Sequence, residues 1–426
     1  MANLTNTHAS QTLGLHDLKT IPDDPVPRDE AIYLASLSPG FCEDIQNNQP
    51  ARALPMGLAM ADLNPLNPSS SLFYSPYMMS SAGQALNSGK ACIIKNRDRA
   101  SSLILADSGG YQVASGKLVI RSDADRLAIL RWQEAVGDVC LTLDSPTRQP
   151  EHRLVTKAKT QVQCLAETLD HLRFYQQNRA NPDTYWLNVL QGNDTAFADT
   201  WYEQVKGFGF ESFAFAGPLR DDFYHVVRRL LQMMDEQRLE NLKWLHVLGT
   251  SKVETALMLS AIQRSINQHV ATGLRFSFDT GSPSRLLNWN SIYTALSING
   301  GKMVIKTEKA PEGPEFLGSA EPWPWPSALG RHLTMGDVTT RPSVMTGTYR
   351  DTLANHYLIH MNLTTLCDGI AQANASFKAQ AALGEHNFAN RVAAAAVAVE
   401  EIFSSGGSRG LLHRYRHLFG ALNGGR

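Results

Sequence analysis

One arrangement recurs from residue 31 to residue 279: a short unbroken apolar run, then a longer stretch in which apolar residues return every three or four positions. The runs read AIYLASL, SLFYSPY, SLILADS, DVCLTLD, YWLNVLQ, FAFAG, LHVLG and LRFSFD. A strand that is apolar throughout is covered on both faces, as in a parallel sheet with helical crossovers. Between the runs, SDADRLAILRWQEAV opens on Ser122 as a cap, with acidic residues in its first turn. TKAKTQVQCLAETLDHLRFYQQ and DDFYHVVRRLLQMMDEQ keep the helical period. Eight such runs predict an α/β fold of the (β/α)8 TIM-barrel type. A doubly wound sheet accepts the same alternation, and KMVIK (302–306) supplies a ninth candidate strand. Polar placement favours the barrel. Asp107, Asp144, Gln191 and Asp279 each follow the apolar part of a strand, and only a closed barrel aims that many strand ends at one small volume.

The remaining chain divides by pattern. Residues 1–30 are polar and dotted with Pro and Asp, which predicts a loose lead-in; 31–300 form the barrel. Residues 301–349 hold KMVIK and the Pro-rich EKAPEGPEFLGSAEPWPWPSALG, read as an ordered loop or linker over the barrel. Residues 350–426 return to helix, with RVAAAAVAVEEIF and a basic aromatic tail carrying Arg409, Arg414 and Arg416. At 426 residues the chain can bury a large core, and 43% hydrophobic with 19% charged residues is globular composition. A formal net charge of −1 confines any nucleic-acid footprint to a local patch. The five cysteines (Cys42, Cys92, Cys140, Cys164, Cys367) include no CxxC, so neither a disulfide framework nor a zinc knuckle is expected. The first residues, MANLTNTHASQTLG, lack the apolar core of a signal peptide, and no run is long enough to span a bilayer. A soluble cytoplasmic protein without a membrane partner is expected.

The strand-end carboxylates suit cleavage of an N-glycosidic bond. Positive charge grows on the sugar while the base leaves with negative charge. One carboxylate can trap C1′ covalently and a second can protonate the departing base. If another base then attacks, the result is exchange, and no cofactor is needed. Asp279 is the candidate nucleophile; TGSPSR after it fixes a tight loop, and Arg285 can hold a phosphate or orient a carboxylate. The competing reading makes Asp279 a helix N-cap. Asp107 precedes Ser108, Gly109, Gly110 and Tyr111. The glycines admit a flat ligand against the backbone, and Tyr111 can stack on a purine face for roughly 1–3 kcal/mol. Equally, Asp107 can cap the following turn while Tyr111 packs. Asp144 and Gln191 can read a guanine-like edge, the carboxylate accepting from N1–H and the 2-amino group. Gly217 can offer backbone to the same ring, and Leu248, before Gly249, can cover its face, although a buried strand leucine has the same signature.

DSGGYQV, LTLD, NVLQG, FAFAGPL, LHVLGTS and FDTGSPSR, in this order and spacing, resemble the tRNA-guanine transglycosylase family, which inserts 7-deazaguanines in place of guanine. The likeness spans about residues 70–300, with a weaker one in NHYLIHMNLTTLCDGI. It implies a TIM barrel, Asp279 as covalent nucleophile, Asp107 as acid/base near the departing base, and a pocket from Tyr111, Asp144, Gln191 and Gly217. Members acting on tRNA carry a zinc site built on a CxCxxC run and a later histidine. Here the corresponding stretch, TGTYRDTLANHYLIHMN, has no cysteine, and His360, near the expected histidine, has no thiolate partners, so no metal is expected. After Asp144 the chain continues SPTRQP where the family is usually acidic. The pattern is most similar to the zinc-less, DNA-modifying (DpdA-type) branch. That likeness implies DNA as a partner, a free 7-deazaguanine such as 7-cyano-7-deazaguanine (preQ0) as co-substrate, and partner proteins of a DNA-modification system. A tRNA enzyme that has lost zinc and a non-catalytic partner subunit are the alternatives. Arg409, Arg414 and Arg416 would then grip the nucleic-acid backbone, or simply form a solvated helix end.

Overall fold

The computed structural model describes residues 18–423 apart from 49, 51, 87–91, 148–158, 272, 300–301, 343–347 and 383–389. Eight parallel strands close into a barrel in chain order: β1 (Ile32–Ser36), β2 (Tyr77–Ser81), β3 (Leu103–Asp107), β4 (Val139–Leu141), β5 (Tyr185–Leu190), β6 (Ser212–Phe215), β7 (Trp244–Val247) and β8 (Arg275–Thr280). β8 returns to β1 with Leu34 opposite Asp279, which leaves no open edge and excludes the doubly wound sheet. The unbroken apolar runs follow from this closure. Alternate residues such as Leu34, Met79, Leu105, Leu141 and Leu187 fill the barrel. Their neighbours Tyr33, Met78, Ile104, Cys140 and Trp186 pack outward on the helices.

Seven of the eight strands lie where the apolar runs predict them. The second does not: SLFYSPY is mostly a lead-in, and β2 is YMMSS. Pro76 has no N–H to give a ladder, so pairing starts after it, with Tyr77 opposite Leu103 and Ser81 opposite Asp107. KMVIK is not a barrel strand. It belongs to β10 (Lys302–Lys309), which pairs antiparallel with β9 (Ser291–Asn299) in a separate hairpin.

The helix starts carry the caps their sequences announce. Ser122 accepts from the Asp125 N–H in a capping box before Asp123–Val136, and Thr160 does the same with Gln163 before Gln161–Asn178. Part of the predicted lead-in to the latter, residues 156–158, lies outside the described residues, as does the second half of SPTRQP, residues 148–150.

The expected loose lead-in is packed where it is described. Ile21, 4% exposed, joins the barrel-interior cluster with Leu18 and Val26 against it, and Lys19 pairs with Asp138 at 2.7 Å. A polar composition conceals this because three apolar side chains suffice to stopper the N-terminal mouth; residues 1–17 lie outside the described part. In the Pro-rich stretch Trp323 is buried, and its N–H donates to the Leu333 carbonyl at 3.0 Å.

The C-terminal helices, Thr352–Ala382, Asn390–Ser404, Arg409–Arg414 and Arg416–Asn423, share one continuous apolar core with the outer barrel layer. Arg391 pairs with Glu254 at 2.6 Å, and Glu400 accepts from Ser265 at 2.8 Å, both onto the helix Val253–His269. Among the described residues no helix is long and apolar enough to cross a membrane.

Candidate active site

The C-terminal ends of β3, β4, β5 and β8 deliver Asp107, Asp144, Gln191 and Asp279 to one mouth of the barrel. Asp107 ends β3 and accepts the Gly109 N–H at 3.1 Å. Gly109 sits at φ +92°, and a Cβ there would lie 2.8 Å from the Gly83 nitrogen, so the turn requires glycine. The Asp107–Gly109 bond closes the turn after β3, as the competing reading for Asp107 has it, while the short helix Gly110–Ala114 starts at Gly109 without a side-chain cap and Tyr111 is exposed rather than packed. Burial pushes the Asp107 carboxyl up to about 6; hydrogen bonding from Ser81 opposes the shift, and the charge of Asp279 adds to it.

Beside it, Gln191 Nε2 donates to Asp144 Oδ2 at 2.7 Å, and the Thr147 hydroxyl donates to Gln191 Oε1 at 3.3 Å. Asp144 is 6% exposed, and burial pushes it up to about 7; the Gln191 amide pulls it down and the charge of Asp107 pushes it up. Two glycines press their backbone on this pair. A Cβ on Gly110 would lie 2.7 Å from Asp144 Oδ1, and one on Gly217, at φ +69°, 2.8 Å from Gln191 Oε1. At both positions only glycine fits against the pair. Tyr111 stands 64% exposed on the first turn after Gly110.

Asp279 is buried on β8. Its Oδ1 accepts the Gly249 N–H at 2.7 Å and faces His246 Nε2 at 3.2 Å. It caps no helix: the turn Ser282–Arg285 starts at Gly281 without a side-chain cap. Leu248 is half-buried against the interior cluster, with its N–H on the Phe215 carbonyl at 2.9 Å. The charges of Asp279 and Asp144 both couple to Asp107, as expected of three carboxyls facing one low-dielectric space.

Some predicted residues sit in other roles. Ser108 is fully buried, and its hydroxyl donates to the Thr142 carbonyl at 3.4 Å, which ties the β3 end to the β4 end. Arg285 is exposed and donates to Thr280 Oγ1 at 2.9 Å rather than to a carboxylate. The tail is not brought to the mouth cluster. Its helices lie on Phe223–Asp235 outside the barrel, where Arg409 pairs with Asp235 and Arg416 lies over the Tyr224 ring at 5.1 Å. Arg414 is exposed. His360 is buried edge-on to Phe73, with neither ring nitrogen hydrogen-bonded, and burial lowers it to about 4. Among the described residues no three His, Cys, Asp or Glu side chains gather as metal ligands do.

Four residues that carry the site are missed by the apolar runs: Ser81, which ends β2 beyond SLFYSPY, and His246, Ser277 and Asn362, which lie at no strand end. Counting back by two from Asp279 would have found Ser277, since alternate residues share a strand face. Asn362 is fully buried on the helix Thr352–Ala382. It donates to the Pro283 carbonyl at 2.9 Å and accepts the Tyr293 N–H at 2.7 Å, so it pins the loop after Asp279. Neither protein-family models nor curated proteins match the sequence.

Proposed function

We propose that the protein is a DNA-guanine transglycosylase, exchanging a guanine in DNA for a free 7-deazaguanine through a covalent Asp279–glycosyl intermediate. The observation that carries this is the convergence of Asp107, Asp144, Gln191 and Asp279 at one end of the barrel, with Gly110 and Gly217 against the Asp144–Gln191 pair. A guanine stacked in duplex cannot reach groups at the strand ends of a barrel, so the nucleotide is flipped or presented on a melted strand. The Asp144–Gln191 edge then reads the base, with Tyr111 stacking on one face.

The Asp279 carboxylate attacks C1′ as the C1′–N9 bond breaks, its electrons leaving with the base. Asp107, raised toward neutral pH, gives its proton to the departing guanine. The incoming 7-deazaguanine returns a proton from N9 to Asp107 and attacks C1′, which frees the Asp279 carboxylate. The cycle balances without a cofactor. The preference for DNA rests on the likeness to the zinc-less branch and on the absence of cysteine from residues 346–362.

The test offers matched DNA and tRNA with labelled preQ0. Label entering DNA, and none with Asp279→Ala, is the expected result. Label entering tRNA alone would transfer the reading to a zinc-less tRNA enzyme. An abasic site with no label would make the protein a glycosylase.

A further inference from the structure

The interior of β7 and β8 carries a chain of polar groups that ends on Asp279. Trp244 Nε1 lies 2.7 Å from Ser277 Oγ, which lies 2.7 Å from His246 Nδ1, and His246 Nε2 lies 3.2 Å from Asp279 Oδ1. His246 and Ser277 are fully buried in a barrel interior lined mainly by apolar side chains. An interior of that kind keeps a polar chain only where each member is satisfied.

The chemistry of the first member fixes the direction of the rest. An indole N–H only donates, so Ser277 Oγ must accept from Trp244. The serine hydrogen then has two acceptors in reach, His246 Nδ1 at 2.7 Å and the Leu245 carbonyl at 3.5 Å; the shorter contact takes it. That arrangement makes Nδ1 the lone-pair nitrogen and sets a hydrogen on Nε2, facing the carboxylate. The opposite tautomer would set a nitrogen lone pair against Asp279 Oδ1.

We propose that His246 is a positioning residue that, with the Gly249 N–H, loads both hydrogen bonds onto Asp279 Oδ1 and leaves Oδ2 as the attacking oxygen. Among the described residues nothing hydrogen-bonds Oδ2, and it is not sealed from solvent. A neutral donor serves this better than an imidazolium, which would cancel the charge of the nucleophile. When C1′ is bonded to Oδ2, Oδ1 is the ester carbonyl oxygen. As the incoming base breaks the C1′–Oδ2 bond, the returning electron pair spreads onto Oδ1, where the two N–H groups meet it.

The kinetic arm rests on the transglycosylase reading; the spectroscopic arm does not. ¹⁵N-histidine NMR of the whole protein at pH 7.5, with the His246 ring assigned by its disappearance in His246→Gln, is expected to show Nε2 protonated and Nδ1 bare. A ring protonated on Nδ1, or on both nitrogens, overturns the proposal whether or not the protein exchanges bases. In base exchange, His246→Gln, whose amide can still donate to Oδ1, is expected within about tenfold of the parent. His246→Leu should lose roughly 100-fold in kcat with little change in KM for the free base. Equal loss in both variants, with both folded by circular dichroism, would reduce His246 to a packing role.

Discussion

Asp144 joins fold to chemistry at the scale of one residue. Its carboxyl is held near 7 where an unfolded chain ionises near 3.8, so between those values the folded protein keeps a proton that the unfolded chain has lost. Stability therefore falls as pH rises through that window, and the full penalty stands above about pH 7. Asp144→Asn should raise the unfolding free energy at pH 8 by on the order of a few kcal/mol, read as a higher urea midpoint, and leave it unchanged at pH 4. Equal shifts at both pH values would mean that the carboxylate ionises in place without cost. The same group should couple base binding to pH, with preQ0 binding by titration calorimetry weakening as pH falls below about 7 and the acceptor is lost. Gly110→Ala would set a methyl against Asp144 Oδ1, and is expected to weaken preQ0 binding more than tenfold while the thermal midpoint moves little. The four strand-end groups were legible because a polar residue closing an apolar run stands out. His246 and Ser277 were not, since a polar residue inside a strand reads as core unless its partners across the barrel are known.

Among the elements, the strands were legible because each is covered twice, and the one misplaced strand shows what pattern omits. SLFYSPY is as apolar as its neighbours, but the missing N–H of Pro76 moves pairing to Tyr77–Ser81, and that register sets Ser81 beside Asp107. The helix Thr352–Ala382 packs on the turn Ser282–Arg285 and is hydrogen-bonded to it through Asn362, a contact between residues about 80 positions apart along the chain. Asn362→Ala would strand the buried Pro283 carbonyl and Tyr293 N–H, at about 1–3 kcal/mol. A thermal midpoint lower by several degrees, with exchange activity falling further than stability explains, is the expected pair of readings. Unchanged activity would show that the loop after Asp279 holds itself.

Over the whole molecule, two apolar layers nest. One fills the barrel and is stoppered by Ile21; the other runs from the outer strand faces into the C-terminal helices without a break. The division at residue 350 visible in the sequence marks a change of secondary structure, not of core, because helical period says nothing about which surface a helix covers. A single unfolding transition is expected, reported alike by tryptophan fluorescence and by circular dichroism. Two separated transitions would restore an independent C-terminal unit. The net charge of −1 likewise hides any local footprint, and the tail arginines are partly engaged with the barrel wall. The central claim, a nucleophilic Asp279 among converging strand-end carboxyls, is open to one direct measurement. A guanine-containing single-stranded oligonucleotide is incubated with the protein, quenched in denaturant, digested, and read by peptide mass spectrometry. A glycosyl adduct on the peptide bearing Asp279, absent from Asp279→Asn, is predicted. An adduct on another residue, or one that survives in the variant, would contradict it.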